Sequence, residues 1–184
     1  PDAVALLANH PALAALPFDQ TLWVTEQLAV ARMADANRAV QIAAKIDEAF
    51  APGADISTRA YRLRDDYTSL VWLGGTRALW ELGDGARAAP LFYRYGAAAR
   101  TPQTRSKGFF WAGHAAQRAG DAAEASRYYE LAAQYPDRFY GQMALQRLGR
   151  ELPSFAAMPQ GEPTAEERAA FTAAPLTAAV TEVA

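Results

Sequence analysis

Cysteine is absent from the 184-residue chain. Its absence excludes disulfide bonds, thiolate metal sites and cysteine nucleophiles, and it is compatible with either the cytoplasm or the periplasm. Long apolar runs are missing too: none approaches the ~18–20 residues that a membrane-spanning helix needs, so we expect no membrane span. Charge of one sign is not in excess, since the net charge is −2 and the isoelectric point about 5.7. We therefore expect no nucleic-acid partner.

An initiator methionine and a signal peptide are also missing from the sequence, which begins at Pro1-Asp2. We expect that the chain has been trimmed, by processing or by design, and is part of a longer gene product.

Helix-forming residues dominate what is present: Ala, Leu, Arg, Gln and Glu recur, and β-branched clusters are almost absent. No stretch alternates apolar and polar residues over the length of a strand, so we predict an all-α fold. Asp65-Asp66 is expected to cap the helix that carries the leucines at 70, 73, 79 and 82. The helices before it are expected at Asp2–Asn9, Asp19–Met33, Asn37–Phe50 and Ile56–Leu63. Further along the chain, Thr101-Pro102 is expected to form a turn that precedes a helix over Ser106–Ala119.

The middle of the chain contains a repeat. "LGDGARAAPLFYRY" (82–95) and "AGDAAEASRYYELA" (119–132) align without gaps at an offset of 37 residues, and "MADANRAV" (33–40) is a weaker third copy. Each begins with a turn and continues with alanine and aromatic residues at helical spacing, as in tetratricopeptide-like hairpins. Small residues let antiparallel helices approach closely, and aromatic rings fill the gap to the next hairpin. We therefore predict that residues 1–150 form an α-solenoid, a superhelix of antiparallel helix hairpins.

The composition changes after Leu148-Gly149. "PSFAAMPQGEPTAEE" (153–167) is rich in proline, so residues 151–184 are expected to be a linker and the start of a further helical segment. Thr164-x-x-Glu167 matches a capping box for a helix over Ala165–Ala174.

Residue patterns for common active sites are missing. His10 and His114 are the two histidines of the chain, and neither has an i+4 histidine or carboxylate partner, so we predict no metal site. "LGGT" (73–76) is interpreted as a close-packing contact inside a helix, and no other segment resembles a phosphate-binding loop, so we predict no cofactor. The serines lack a Gly-x-Ser-x-Gly context.

Adjacent acidic pairs occur at Asp65-Asp66 and Glu166-Glu167. A carboxyl that acts as a general acid on a glycan needs a raised pKa. The helix dipole at a helix start favours the charged form and lowers the pKa, so we interpret both pairs as capping charges and predict no catalytic residue in this chain.

Aromatic residues are the remaining candidates for a binding site. At helical spacing they are expected mainly to pack hairpins together, and those that prove exposed in a groove are candidates for stacking on sugar rings. We name Trp72, Trp111 and Tyr140 as candidate glycan contacts. The full set weighed for this role is Trp72, Trp80, Phe109, Phe110, Trp111, Tyr128, Tyr129, Phe139 and Tyr140.

Two segments, "SKGFFWAGHAAQRAGD" (106–121) and "YYELAAQYPDRFYGQMALQRLG" (128–149), together resemble the soluble periplasmic lytic transglycosylases. The resemblance rests on Trp111-Ala112-Gly113, the Gly120-Asp121 turn and the run from Phe139 to Leu145, closed by Leu148-Gly149. It covers roughly residues 65–150, and more loosely the whole chain. His114 departs from the arginine expected at that position.

The resemblance implies a non-catalytic superhelical region that precedes a lysozyme-like catalytic domain absent from this chain. Its expected partners are a peptidoglycan glycan strand and its own catalytic domain, and its expected location is the periplasm. The family's catalysis rests on a Glu-Ser dipeptide followed by Gly-Leu-Met-Gln. No Glu-Ser occurs here, so no catalytic residue is carried over, and Gly141-Gln142-Met143 is interpreted as part of a helix-docking seam.

Two alternatives stay open. The first is a stand-alone tetratricopeptide-type module that binds a partner protein's peptide. A concave surface rich in Asn, Lys and Arg would favour it, whereas exposed Trp and Tyr would favour a glycan. The second is an enzyme whose site is assembled from distant residues, which a pocket around His114 that also holds a buried carboxylate would favour.

Overall fold

The computed structural model describes residues 18–154 and 162–175, together with 177 and 179. Every regular element within these residues is helical, which confirms the predicted all-α class. The helix expected at Asp2–Asn9 lies outside the described residues. Short 3₁₀ helices cover Ile46–Ala49 and Ile56–Thr58, and a π-helix covers Arg77–Glu81. The α-helices are α1 (Gln20–Met33), α2 (Ala36–Lys45), α3 (Tyr61–Thr76), α4 (Gly85–Ala98), α5 (Pro102–Arg118), α6 (Ala122–Ala133), α7 (Phe139–Arg147) and α8 (Ala165–Ala173).

Side-chain caps start most of these helices. An aspartate precedes α1, α2, α4 and α6, and each carboxylate accepts a hydrogen bond from a main-chain N–H of the first turn. Thr101 caps α5 in the same way, with Pro102 as the first helical residue. These bonds satisfy N–H groups that have no acceptor within the helix, so the caps fix where each helix begins.

The region between α2 and α3 differs from the prediction. The expected helix over Ile56–Leu63 is wrong: a 3₁₀ turn ends at Thr58, and α3 begins at Tyr61 after Ala60. Asp65 and Asp66 therefore lie inside α3 and do not cap it, and the Asp66 carboxylate accepts a hydrogen bond from the hydroxyl of Thr25 in α1. Asp55 provides the local cap instead, accepting from the N–H of Ser57 at 2.9 Å.

The bounds of two other helices also differ from the prediction. The segment expected to be one helix over Asn37–Phe50 is α-helical over Ala36–Lys45 and continues as a 3₁₀ helix over Ile46–Ala49. The helix expected to begin at Ser106 begins four residues earlier, because Thr101 and Pro102 together form a helix start and not only a turn.

Helices α4 and α5 pack antiparallel. Gly85, at the start of α4, lies against the main chain of Ala115 near the end of α5. Gly96, near the other end of α4, lies against the main chain of Arg105 and Gly108 at the start of α5. A Cβ atom at Gly85 or Gly108 would collide with the facing main chain, so glycine sets the close approach of the two helices.

The predicted repeat has matching local geometry in its two copies. Gly83 and Gly120 both adopt positive φ, at 65° and 81°. Each is followed by an aspartate whose carboxylate accepts from the N–H three residues on, at 2.9 Å in both copies. A Cβ at Gly113 would lie 2.7 Å from the Tyr129 ring, and one at Gly75 would lie 2.9 Å from the ring of Phe92. In both places, a glycine of the preceding helix thus lies against a ring of the repeat copy that follows it.

The segments that lead into the two copies differ in length by one residue. Gly75 and Gly83 are eight residues apart, whereas Gly113 and Gly120 are seven apart. The π-helix absorbs the extra residue: the N–H of Leu82 donates to the carbonyl of Arg77, five residues earlier, at 3.1 Å. The Arg77 guanidinium in turn donates to the carbonyl oxygens of Arg32 and Ala34, at the junction of α1 and α2.

The segment 135–149 is a docking seam, as predicted. Gly141 lies in α7 directly against the main-chain carbonyl of Tyr135, with no room for a side chain. Ala144 is fully buried, and Gly149 ends the element with φ 68°. Close approach at Gly141 therefore seats α7 against the end of α6.

The chain divides into two compact units, Pro1–Leu152 and Pro153–Ala184. The described part of the first unit has a core whose largest fully buried hydrophobic side chains are Phe92, Ile42, Ile46, Leu70, Leu79 and Leu91. In the second unit, the predicted capping box is confirmed: Thr164 and Glu167 exchange side-chain and main-chain hydrogen bonds at the start of α8. Helix α8 buries none of its residues.

Candidate binding surface

Ring contacts bring the three predicted glycan contacts into one network. Trp72 is on α3, Trp111 on α5 and Tyr140 on α7. Two buried phenylalanines, Phe92 and Phe110, lie between them. We use the name aromatic band for the connected set Tyr95, Trp72, Phe92, Trp80, Trp111, Phe110, Tyr140 and Phe139.

Neighbouring rings in the aromatic band are close enough to support one another. The centroids of Trp72 and Phe92 are 5.1 Å apart, and those of Trp80 and Trp111 are also 5.1 Å apart. The Phe110 and Tyr140 centroids are 5.5 Å apart. Such edge-to-face and tilted pairs contribute ~0.5–1.5 kcal/mol beyond area burial. These contacts therefore favour the orientations in which the rings are observed.

Exposure separates the aromatic residues into two groups. Phe109, Phe110, Tyr128 and Tyr129 are buried, as hairpin packing requires. Trp72, Trp111 and Tyr140 are half-buried, while Trp80 and Phe139 are 51% and 61% exposed. Of the three tryptophans of the aromatic band, Trp80 thus presents the largest free ring surface. Trp80 belongs to the full set of aromatic residues weighed as glycan contacts, but it was not one of the three predicted from the sequence.

Two helix faces carry the polar part of this surface. On α3, positions 61, 65, 68 and 72 share one face, because they are spaced by three or four residues. On α5, positions 104, 107, 111 and 114 share a face for the same reason. Both faces border solvent, because half-buried side chains lie on each of them: Trp72 on α3, and Lys107, Trp111 and His114 on α5.

Lys107 covers one side of Trp72. Its ammonium nitrogen is 3.7 Å from the centroid of the Trp72 ring and 5.5 Å from that of Tyr95, which are cation–π distances. Burial lowers the pKa of Lys107 below the usual lysine value. Because Lys107 occupies the indole face, Trp72 supports a cation here and does not offer that face to a sugar.

A cleft lies beside Lys107. It encloses about 240 Å³, slightly less than the ~300–1,000 Å³ that is usual for small-molecule sites. Tyr95 belongs both to this Tyr95 cleft and to the aromatic band. The other lining residues are Tyr61, Arg64, Asp65, Thr68, Ala99, Arg100, Thr101 and Thr104.

His114 lies against an aromatic ring and near two cations. Its ring packs edge-on against Trp111, with centroids 5.4 Å apart. Burial lowers the pKa of His114, and the nearby Arg147 and Arg118 lower it further, so the imidazole is favoured in its neutral form. The charged neighbours that shift its pKa are cations, which does not favour an enzyme site built from His114 and a carboxylate.

No aspartate or glutamate among the described residues is buried. The buried polar side chains within residues 18–154 and 162–175 are those of Gln27 and Ser106. Hydrogen bonds from neighbouring groups lower the pKa of Asp55, Asp84 and Glu124, and main-chain and side-chain bonds from Thr164 lower that of Glu167. These directions are opposite to what a general acid needs.

In the part of the chain that the structure describes, no group of three or more histidines and carboxylates is placed to hold a metal ion. Over the same part, no helix combines the length and apolarity that crossing a membrane requires.

Comparison with known proteins gives no match: no family model, no curated protein and no solved structure matches this chain.

Proposed function

We propose that this chain is the non-catalytic helical region of a periplasmic peptidoglycan lytic transglycosylase. In this proposal it shapes the path along which a glycan strand reaches a lysozyme-like catalytic domain. That domain would cleave the MurNAc–GlcNAc bond without water and leave a 1,6-anhydro product, with one glutamate acting first as acid and then as base. The sequence resemblance over residues 65–150 supports the proposal, and the aromatic band is the single structural observation that carries it.

The proposal includes a tetratricopeptide-like superhelix. Support comes from the matched hairpins: both have a left-handed glycine, an aspartate cap and a small residue against a ring. In such an array, alternate helices share a face, because each hairpin stacks on the next in the same orientation. Trp72, Trp111 and Tyr140 lie on α3, α5 and α7, which are alternate helices.

A glycan strand suits the aromatic band for a chemical reason. Pyranose rings have apolar C–H faces that pack on aromatic planes, while their hydroxyl groups need polar partners nearby. Trp80 supplies an exposed ring, and Thr68 and Thr104 supply hydroxyl groups at the Tyr95 cleft. Spaced contacts of this kind bind several units of a long polymer weakly, so that no single unit is bound tightly.

The proposal is tested by sedimentation with insoluble peptidoglycan. We expect the wild-type protein to pellet with it, and we expect Trp80→Ala to weaken binding by about twofold to tenfold, as the loss of one aromatic contact implies. Phe171→Ala is the matched control, because Phe171 is an exposed aromatic on α8, in the second unit. Equal binding by wild type and Trp80→Ala would remove the aromatic band from the proposal.

Catalysis has its own test. The chain is incubated with peptidoglycan, and the released fragments are analysed by mass spectrometry. We expect no anhydro-muropeptides. Their release by this chain alone would overturn the claim that the region is non-catalytic.

The alternative function is a tetratricopeptide-type module that binds a partner's peptide. Arg64 and Arg100 at the Tyr95 cleft are the observation that favours it, since arginines suit an acidic peptide. Absence of any peptidoglycan binding, together with binding of acidic peptides, would favour this alternative.

A further inference from the structure

Lys107 is unusual among the cations of this chain. The chain has two lysines, Lys45 and Lys107, and the remaining basic side chains are arginines. Most of the arginine ion pairs lie on solvent-facing helix surfaces, as for Arg87 with Asp84 and Arg127 with Glu124. Lys107 makes no ion pair or hydrogen bond with the residues that the structure describes, and its contacts are the two rings of Trp72 and Tyr95.

The surroundings of Lys107 hold the ammonium group in place without neutralising it. Ring faces attract the cation through their quadrupoles, and partial burial removes some of its water. Burial is also the cause that lowers the pKa of Lys107, with no charged neighbour contributing. A carboxylate placed beside the ammonium would therefore supply the counter-charge that the protein does not.

The adjoining Tyr95 cleft has the same charge preference. Two arginines and one aspartate line it, which leaves one positive charge in excess, and Lys107 adds a second beside Tyr95. Arg64 donates to the main-chain carbonyl of Arg59 at 3.2 Å, and this bond favours its position at the cleft. Three threonines add hydroxyl groups to the lining. A ligand that combines a carboxylate with hydroxyl or amide groups fits this chemistry.

We propose that Lys107, backed by Trp72 and Tyr95, binds a carboxylate carried by the glycan strand, and that the Tyr95 cleft receives the unit bearing it. This inference rests on the proposed function, because the strand is the assumed ligand. A peptidoglycan strand offers such a carboxylate in two places: on the lactyl group of a sugar without peptide, or on the stem peptide. The neutral sugars of chitin offer none.

The test measures binding by isothermal titration calorimetry with three ligands. They are a neutral chitooligosaccharide, peptide-free glycan strands with free lactyl carboxylates, and disaccharide peptides. We expect the wild type to bind at least one carboxylate-bearing ligand about tenfold more tightly than the neutral one, since a charge-assisted hydrogen bond forms in one case only. The carboxylate ligand that shows this preference identifies the source.

Three variants isolate the charge of Lys107. Lys107→Met keeps an unbranched apolar chain over Trp72, and we expect it to bind all three ligands with the affinity of the neutral one. Lys107→Arg keeps the charge, and we expect it to retain most of the preference. Lys45→Met removes the same charge elsewhere, and we expect it to behave as the wild type. Circular dichroism checks that each variant is folded.

A second measurement does not depend on the variants. Reductive methylation with ¹³C-formaldehyde gives two lysine side-chain signals, and we expect that of Lys107 to be shifted upfield by the Trp72 ring. Binding of a carboxylate ligand should move the Lys107 signal and raise its pKa, leaving Lys45 unchanged.

The outcomes separate the two proposals. Equal affinity of wild type and Lys107→Met for carboxylate ligands, with glycan binding retained, overturns the role of Lys107 and leaves the proposed function standing. Failure of the wild type to bind any of the three ligands overturns both. A carboxylate preference that is lost in Lys107→Met and kept in Lys45→Met supports both.

Discussion

At Gly141 a single methyl group would meet the main chain of the preceding turn. Gly141→Ala places a Cβ atom against the carbonyl of Tyr135, which cannot rotate away as a side chain can. Overpacking of this kind costs ~1–3 kcal/mol, and the better helix propensity of alanine returns ~1 kcal/mol of it. Because the clash is with main chain, we expect the upper end of that cost and a net loss of about 2 kcal/mol in the free energy of unfolding, measured by urea denaturation.

Gln146→Ala is the control for that change, because Gln146 is an exposed residue of the same helix. We expect its unfolding free energy to stay within ~0.5 kcal/mol of the wild-type value, as is usual for surface positions. A Gly141→Ala protein as stable as the wild type would show that α7 can shift outward without cost, and the docking seam would then be loose.

The sequence predicts which aromatic residues lie near the surface, but not which of their ring faces are free. Trp72, Trp111 and Tyr140 were selected for their residue type and helical spacing, and the structure connects them through Phe92 and Phe110. Which ring face is free depends on side chains from other helices. The amino group of Lys107, 35 residues along the chain from Trp72, covers that indole at 3.7 Å, and periodicity within one helix carries no information about such a contact.

At the scale of the helix, aspartate caps are predicted to carry measurable stability. Asp84→Ala removes the carboxylate that accepts from the N–H of Arg87 at 2.9 Å and the ion pair to the same residue at 2.7 Å. We expect a loss of about 1 kcal/mol at pH 7, measured by thermal or urea denaturation. Asp137→Ala is the control, since Asp137 is exposed and pairs only with its neighbour Arg138 on the surface.

The cost of Asp84→Ala should depend on pH. The main-chain N–H and side chain of Arg87 lower the pKa of Asp84 below its unfolded value of 3.8. The stabilisation is therefore complete above that value and is lost as the pH falls through the lower, folded-state pKa. We expect the difference between wild type and Asp84→Ala to shrink below about pH 4. A difference that stays constant to pH 2 would contradict the cap as its origin.

Helix boundaries were predicted well where a cap and a turn coincide, and poorly where they do not. Gly83-Asp84 and Gly120-Asp121 combine a left-handed glycine with a cap, so α4 and α6 begin where expected. Helix α3 begins after Ala60 with no side-chain cap. The more obvious capping residues at 65 and 66 lie inside the helix, and they misled the prediction.

Across the whole molecule, stability is expected to be uneven. Helix α5 buries eight of its residues, whereas α8 buries none and has nine residues, a length at which an isolated helix is marginal in water. We expect the amide hydrogens of α8 to exchange much faster than those of α5 in hydrogen–deuterium exchange followed by mass spectrometry. Comparable protection in the two helices would contradict the unequal burial.

The all-α class was predictable from the whole sequence, because helix formers, hairpin turns and small–aromatic pairing all indicate the same class. The one-residue difference between the hairpins was not predicted, since the repeat aligns without gaps from residue 82 onward and the extra residue lies before it. A comparison that began at Gly75 and Gly113 would have revealed it.

The extra residue shows that repeated hairpins can tolerate unequal lengths. One wide helical turn takes it up, so Gly83 keeps the same turn geometry as Gly120, while the Arg77 guanidinium donates to the carbonyl oxygens of Arg32 and Ala34. Units of this kind can therefore differ by one residue without losing the turn and cap that start the next helix.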